Sequence, residues 1–198
     1  YFDRKLPGGH EIMLNAVGTL FHNSQHVHNI QDNETQQILD DDMRQHNNKY
    51  SFIGEAAYTK NWGRTQLALG YRATLAKSDY RISNILSDYT EYDYHATDDK
   101  HYGYAQLNGS IAKIGYRISL GATYINTSND NTHFHKLYFT PEALLSYNVK
   151  NGALRLHGKM STITPNISSL SNNSTVTIPG LLYSGNPWLK SALDKNIS

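Results

Sequence analysis

The chain has 198 residues and a formal net charge of +1, from 18 basic and 17 acidic residues. No basic stripe stands out, so nucleic acid is excluded as an expected partner. The absence of Cys excludes a disulfide framework, a cysteine-based zinc site and thiol catalysis. Fifteen Tyr stand against five Phe and two Trp, and Tyr suits an interface between water and hydrocarbon, although it is also a common strand residue.

Hydropathy excludes one way of crossing a membrane and leaves another open. The mean hydropathy is −0.59 and the sequence has no run of 18 apolar residues, so transmembrane helices are excluded. A β-barrel remains compatible, because only every second residue of a barrel strand faces lipid. The opening residues Tyr1-Phe2-Asp3-Arg4-Lys5 lack the apolar stretch of a signal peptide. We therefore expect the chain to be a piece of a longer protein.

Alternation of apolar and polar residues predicts seven long strands, at 10–21, 48–60, 65–76, 100–108, 112–125, 136–150 and 153–163. Successive side chains of a strand point to opposite faces, so the pattern also predicts which residues share a face. On the outer face we expect Leu67, Leu69, Tyr71, Ile114, Tyr116, Ile118 and Leu120. On the inner face we expect Glu55, Arg72 and Arg117.

Short and long connections alternate between these strands. The short ones are Pro7-Gly8-Gly9, Asn61-Trp62-Gly63-Arg64, Asn108-Gly109-Ser110-Ile111 and Asn151-Gly152, the last fitting a type I′ turn. The long ones are predicted as polar, mobile loops over 23–47, 76–99, 126–135 and 162–186, with possible helical turns in 34–44 and the least order in 168–184.

This sorting of connections is typical of an outer-membrane barrel, which has short periplasmic turns and long extracellular loops. We predict an all-β, antiparallel up-and-down meander that forms part of a transmembrane β-barrel, with residues 1–198 as a fragment of one barrel domain. An open sheet with two free edges should result, because about seven strands cannot close a large barrel. The alternative is a soluble, secreted β-sheet binding module, which explains the alternation of residues but not the sorting of the loops.

Several polar clusters are candidate sites. His22, His26 and His28, and separately His133 and His135, have spacings that can bind a metal, but no Cys or ordered carboxylate accompanies them. The run Asp40-Asp41-Asp42 is typical of a solvated acidic loop. Glu55 and Glu142 lie in predicted strands, where paired acids could serve a glycosidase or simply face a polar barrel interior. We expect no catalytic, cofactor or metal site, and no enzyme.

Several motifs, in order along the chain, resemble a known family. Thr164-Pro165-Asn166-Ile167-Ser168-Ser169-Leu170-Ser171, followed by Gly185-Asn186-Pro187-Trp188-Leu189-Lys190, resembles the paired signature in the barrels of TonB-dependent outer-membrane receptors, of the Bacteroidetes-type outer-membrane β-barrel family. Similar landmarks are Tyr1 to Gly9, Ser51-Phe52-Ile53-Gly54-Glu55 with Tyr58, Gly115-Tyr116 with Leu120-Gly121, and Phe139-Thr140-Pro141. Thr164 stands where the family usually has a basic residue, and Ser191 where it has Pro.

The resemblance implies a location in the outer membrane of a Gram-negative bacterium, in contact with its lipid. It also implies a plug domain and further strands outside this chain, contact with TonB through that plug, and uptake of a small ligand that extracellular loops capture. The signature residues are expected to be structural: Pro165, Leu170, Gly185, Asn186, Pro187, Leu189 and Lys190.

Overall fold

The computed structural model describes residues 1–32, 37–84, 92–165, 167–170, 174–178 and 181–198. Its strands are β1 (Phe2–Leu6), β2 (His10–Asp32), β3 (Gln37–Trp62), β4 (Thr65–Asn84), β5 (Tyr92–Ile111), β6 (Ile114–Asn129), β7 (His133–Phe139), β8 (Glu142–Val149), β9 (Gly152–Ile163), β10 (Ser174–Ile178), β11 (Leu181–Ser184) and β12 (Ala192–Ile197). One helical turn, α1 (Ile167–Leu170), follows β9. Within these ranges, no helix is long and apolar enough to span a membrane.

Ten of the strands form one antiparallel sheet in the order β1-β2-β3-β4-β5-β6-β8-β9-β12, with β7 also paired to β6. Strands β7 and β8 flank Thr140 and Pro141 and follow one another along the same edge of β6, so they are one strand interrupted by a proline. The predicted antiparallel meander is confirmed. Among the described residues β1 pairs only with β2 and β12 only with β9, so the sheet is open, as expected.

Short turns lie together at one end of the sheet, but two of them differ from the prediction. The strands β5 and β6 continue until Ile111 pairs with Ile114, so the turn is Ala112-Lys113 and not 108–111. Ala112 has a φ of 54°, in the left-handed region. Val149 pairs with Gly152, so the β8–β9 turn is Lys150-Asn151. Neither turn residue has a positive φ, and the predicted type I′ turn is therefore wrong.

The β1–β2 turn shows why glycine is required at this end. Gly9 has a φ of 79°, and a Cβ there would lie 2.5 Å from the carbonyl oxygen of Asn61. The amide of Asn61 donates a 2.7 Å hydrogen bond to the carbonyl oxygen of Gly9. Only a residue without a side chain allows this close approach between the first turn and the end of β3.

At the opposite end, most of the predicted loops are strands, and that prediction is wrong. Antiparallel pairing between β2 and β3 continues to Asp32 and Gln37, and pairing between β4 and β5 starts at Ile82 and Tyr92. Residues 37–44 belong to β3, so the helical turns considered there are absent; residues 33–36 and 85–91 lie outside the described ranges. At about 3.3 Å per residue, the 26 residues of β3 span roughly 86 Å. This length far exceeds the roughly 30 Å hydrocarbon core of a bilayer.

Two other predicted loops are also more ordered than expected. Residues 126–135 reduce to a short turn between β6 and β7, in which the Asn129 side chain accepts hydrogen bonds from the Asn131 and Thr132 amides. In the predicted loop 162–186, α1 is followed by an antiparallel hairpin of β10 and β11. Within the predicted disordered stretch 168–184, the described residues belong to α1, β10 and β11. Residues 171–173 and 179–180 of that stretch, and residue 166 before it, lie outside the described part.

The register confirms the predicted faces. Cross-strand partners share a face, and Leu67 pairs with Leu107, which pairs with Ile118. On the other face, Glu55 pairs with Arg72. The same chain of partners places Leu69, Tyr71, Ile114, Tyr116 and Leu120 with the first group, and Arg117 with the second.

Candidate functional site

An apolar belt covers the outer face of the sheet near the short-turn end. Its side chains are large and 40–70% exposed, and no described residue covers them. On β6 the belt runs from Ile114 to Tyr124, about 33 Å along the strand, or about 25 Å in height if the strand tilts by about 40°. This height matches the apolar band of a transmembrane barrel. Members of the belt are Leu14, Trp62, Leu69, Tyr71, Ile114, Ile118, Leu120, Tyr124, Leu137, Phe139, Leu145, Tyr147, Leu154 and Leu156.

The belt is bordered by aromatic side chains that combine a ring with a polar tip. At the short-turn end lie Trp62, Tyr116 and Tyr147. At the other end the Tyr71 hydroxyl and His101 Nδ1 are 2.6 Å apart, and the His101 ring is also close to Tyr124. Because they combine an apolar ring with a polar tip, Tyr and Trp are enriched at both membrane–water interfaces.

Beyond the belt, the strands continue as what we call the extension, and the roles of the two faces reverse. The outer face of the extension carries histidines and ion pairs, whereas the inner face carries its buried apolar residues. Tyr94 is 1% exposed and Ala96 3% exposed on that inner face. The inner-face core also includes Met43 and Ile82.

The candidate histidines lie in this extension, on the outer face. His26 contacts the Asp42 carboxylate, and His22 Nδ1 lies 2.5 Å from Asn48 Oδ1. The rings of His133 and His135 are 5.5 Å apart. Within the described residues, no three His, Asp or Glu side chains converge to hold a metal ion. Asp40 and Asp41 belong to β3, although their side chains lie outside the described part.

The inner face of the belt holds a polar cavity of about 490 Å³. Three cations line it, Arg72, Lys100 and Lys159, and none of them lies within ion-pair distance of a carboxylate among the described residues. The one acid of the lining, Glu142, is instead 3.2 Å from His157 Nε2. The cavity is therefore cationic.

Buried hydroxyl groups complete the cavity. The Thr140 side chain is 7% exposed, and its hydroxyl has no hydrogen-bond partner among the described residues. Tyr102 stacks on Tyr104, whose ring lies over Gly70 in the space that a Cβ would occupy. A buried hydroxyl without a partner is costly, so this cavity can hydrogen-bond a group that enters it.

The two candidate acids lie far apart along the sheet. Glu55 and Glu142 both face inward, as the alternation predicts. They are separated by four strand spacings, from β3 to β8, or roughly 19 Å along the sheet at about 4.8 Å per strand. A glycosidase pair is separated by only about 5–9.5 Å.

The two halves of the signature meet in space. The amide of Asn186 donates a 2.7 Å hydrogen bond to the carbonyl oxygen of Ser169, next to the buried Leu170. The side chain of Asn186 accepts from the amide of Trp188, and its carbonyl oxygen accepts from the amide of Leu189. Pro165, Gly185 and Pro187 are half-buried around this centre, whereas Leu189 and Lys190 are exposed.

This signature centre is also tied to the extension of the sheet. The Thr132 hydroxyl donates to the carbonyl oxygen of Pro187, at 3.3 Å, and the Tyr138 hydroxyl donates to that of Ser191, at 2.5 Å. Pro187 and Ser191 are therefore held against the β6–β7 turn and β7.

Sequence patterns identified some of these residues and missed others. Alternation placed Glu55 and Arg72 inside, but it did not single out Lys100, Tyr102 or Lys159. The strand register would have identified them, because Arg72 pairs with Tyr102 and Glu142 pairs with Lys159 on the same face.

No curated protein matches the chain. Its family, however, is clear: residues 8–198 match the outer membrane protein beta-barrel family. The apolar belt agrees with a sheet that faces lipid on one side. The chain thus belongs to the outer membrane protein beta-barrel family, and it resides in the outer membrane of a Gram-negative bacterium in contact with membrane lipid.

Proposed function

We propose that this chain is part of the barrel of a TonB-dependent outer-membrane receptor of the Bacteroidetes type. In this proposal, the same protein also has a plug domain and further barrel strands. The observation that carries the proposal is the signature centre, in which Asn186 and Ser169 join two motifs that resemble the receptor barrels. The soluble, secreted module is not retained, because the family is a membrane one and the outer face is an exposed apolar belt.

In this proposal the extension captures a small ligand outside the cell. The strands β2 to β5 reach far beyond the bilayer, and the Thr132 and Tyr138 hydrogen bonds hold Pro187 and Ser191 against the β6–β7 turn and β7. A rigid platform of this kind loses little conformational entropy when a ligand binds. Uptake then follows through the lumen, driven by TonB acting on the plug.

The cationic cavity gives the inner wall a role in the same proposal. Arg72, Lys100 and Lys159 would contact acidic side chains of the plug or anionic groups of the passing ligand. No covalent chemistry is required of the chain, which supplies wall, platform and charge.

The proposal is tested with the full-length protein and the purified periplasmic domain of TonB from the same organism. We expect the full-length protein in detergent to retain TonB on an affinity column, and a version lacking the residues before the barrel to lose it. The same protein should support ligand-dependent growth only in cells with an intact tonB function. A full-length protein that lacks a plug, or that leaves TonB unbound in every ligand state, would contradict the proposal.

A further inference from the structure

The cationic cavity lies on the inner face, level with the border where the belt ends and the extension begins. Its wall residue Arg72 follows Tyr71, and Thr123 precedes Tyr124, so the cavity has the same height as the aromatic residues of that border. This end of the sheet carries the long strands of the extension, which is the extracellular side of a barrel. A molecule that enters the lumen from outside therefore reaches this cavity before the rest of the belt's inner face.

An interruption of the sheet builds the cavity. Between β7 and β8, the Thr140 amide donates a 2.8 Å hydrogen bond to the Gly121 carbonyl oxygen, and the Met160 amide donates one of 2.9 Å to that of Pro141. A Cβ at Gly121 would lie 2.8 Å from the Thr140 hydroxyl oxygen and 2.8 Å from the Tyr102 ring. Glycine thus leaves the space in which the buried Thr140 hydroxyl is held, without a partner among the described residues.

The cations of the cavity lie at its two ends. Arg72 pairs with Tyr102, which is two residues from Lys100 on the same face. Such diagonal neighbours are about 7–8 Å apart, so the two long side chains can contact the same anionic group. Lys159 is on β9, four strand spacings from Arg72, or roughly 19 Å along the sheet at about 4.8 Å per strand. The Thr140 hydroxyl lies between the two ends.

The charge of the lining leaves these cations available. The lining carries three positive charges and one negative charge, a net charge of +2. The negative charge belongs to Glu142, whose carboxylate lies 3.2 Å from His157 Nε2 and is engaged there. Within the described part of the chain, none of the three cations is within ion-pair distance of a carboxylate.

Other acids of the inner face lie around the cavity. Asp98, two residues before Lys100, accepts a 3.0 Å hydrogen bond from the Thr127 hydroxyl. Glu55 and Asp194 are on β3 and β12, the strands beyond the two edges of the cavity. These acids therefore limit the size and the position of an anion that can enter, and the lining itself remains cationic.

We propose that this cavity binds a small dicarboxylate, with one carboxylate at Arg72 and Lys100, the other at Lys159, and a mid-chain oxygen accepting from Thr140. Two carboxylates match the net charge of +2, whereas two phosphates would bring about three to four negative charges. The volume of about 490 Å³ suits a small molecule. This inference rests on the proposed function for the ligand's entry and uptake, and it names the class of that ligand.

The test measures binding to the full-length protein in detergent by isothermal titration calorimetry, at neutral pH and without TonB. The probes are the straight-chain dicarboxylates from succinate to sebacate and the monomethyl ester of each. The dicarboxylate that fits best should bind at least tenfold more tightly than its ester, because the ester lacks one charge-assisted contact.

Charge substitutions locate the two contacts. Lys159→Gln should lower the affinity for that dicarboxylate at least tenfold and leave the affinity for its ester nearly unchanged, because the ester binds at the end with two cations. Arg72→Gln should weaken both. Arg117→Gln is the matched control, since it removes a positive charge from the inner face of β6 outside the cavity. The control should bind both probes as the unaltered protein does.

The hydroxyl is tested with a second pair of ligands. An analogue of the same dicarboxylate with a carbonyl oxygen at mid-chain should bind about twofold to tenfold more tightly than its parent, the usual contribution of one hydrogen bond. Thr140→Val keeps the shape of the side chain and removes the hydroxyl. This variant should bind the analogue and the parent equally.

Four results would overturn the proposal: no dicarboxylate binds more tightly than its ester, Arg117→Gln weakens binding as much as Lys159→Gln, a bisphosphate of the same length binds more tightly, or binding requires removal of the residues before the barrel, which would show that the plug fills the cavity. If a variant does not fold, the comparison of ligands on the unaltered protein still decides. Failure here with TonB retained overturns the ligand class alone, whereas binding here without retention of TonB overturns the receptor function alone.

Discussion

The belt and the extension are two halves of the same strands with opposite arrangements of side chains. In the belt half of β4, Leu69 and Tyr71 face outward and Arg72 faces inward. In the extension half of the same strand, Arg81 faces outward and Ile82 is buried on the inner face. Backbone pairing is unbroken between the two halves. Which face is apolar therefore depends on what surrounds each half of the strand, and not on its backbone pairing.

The largest expected effect comes from placing a charge in the belt. Leu120→Arg should lower the free energy of unfolding of the full-length protein in lipid vesicles by about 2–4 kcal/mol, because the side chain would enter hydrocarbon near mid-bilayer. Ser128→Arg is the control, on the same strand and face but in the extension, and it should change stability by less than about 0.5 kcal/mol. Equal costs at both positions, in denaturant titrations, would show that the outer faces of the belt and the extension meet the same surroundings.

A smaller effect is expected where the short turns close the belt. Gly9→Ala forces a left-handed residue against the carbonyl oxygen of Asn61 and should cost about 1–3 kcal/mol of unfolding free energy. Gly103→Ala, in open space within the belt, serves as its control and should cost less than about 1 kcal/mol. If the two substitutions are equally tolerated in the same titrations, the close approach of Gly9 to the Asn61 carbonyl oxygen does not restrict the residue at this turn.

The smallest effect concerns pH in the extension. The Arg81 guanidinium donates to both Asp93 oxygens, at 2.6 and 3.1 Å, and this hydrogen bonding lowers the pKa of Asp93. Since the pKa is lower in the folded protein, the pair stabilises the extension above the unfolded carboxyl's pKa and loses this stabilisation as the pH falls through the folded pKa.

Hydrogen exchange can detect this local effect. Arg81→Gln should reduce amide protection in the extension halves of β4 and β5 at about pH 7 and have little effect at about pH 2.5, below the usual carboxyl range. Protection in the belt should be unchanged at both pH values. A loss of protection that is the same at both pH values would show that the ion pair is not its cause.

Sequence patterns predicted the belt well and the extension poorly, for one physical reason. Apolar outward positions in β3 are even-numbered in the belt, such as Phe52 and Tyr58, whereas the buried Met43 of the extension is odd-numbered. The apolar residues thus move from even-numbered to odd-numbered positions along one strand. This change interrupts the alternation, and the extension half of the strand resembles a polar loop in sequence. Pairing continues nevertheless, since backbone hydrogen bonds do not depend on which face is apolar.

The sites divide in a similar way. The signature residues were identified as motifs, but their meeting through Asn186 and Ser169 joins positions far apart in sequence, which a single chain does not reveal. The cationic cavity depends on Arg72, Lys100 and Lys159, which come from β4, β5 and β9. Register decides both features, and register is visible only once the strands are paired.

The boundary between lipid and water on β6 can be measured directly. The chain has no Cys, so once any Cys elsewhere in the full-length protein is replaced, single cysteines at the outward positions Ile118, Ala122 and Ser128 can carry spin labels. In the full-length protein in vesicles, collision rates with oxygen and with a water-soluble nickel reagent should favour oxygen at Ile118 and Ala122. They should favour the nickel reagent at Ser128. Preference for the nickel reagent at all three positions, or for oxygen at all three, would contradict the claim that the membrane ends where the belt ends.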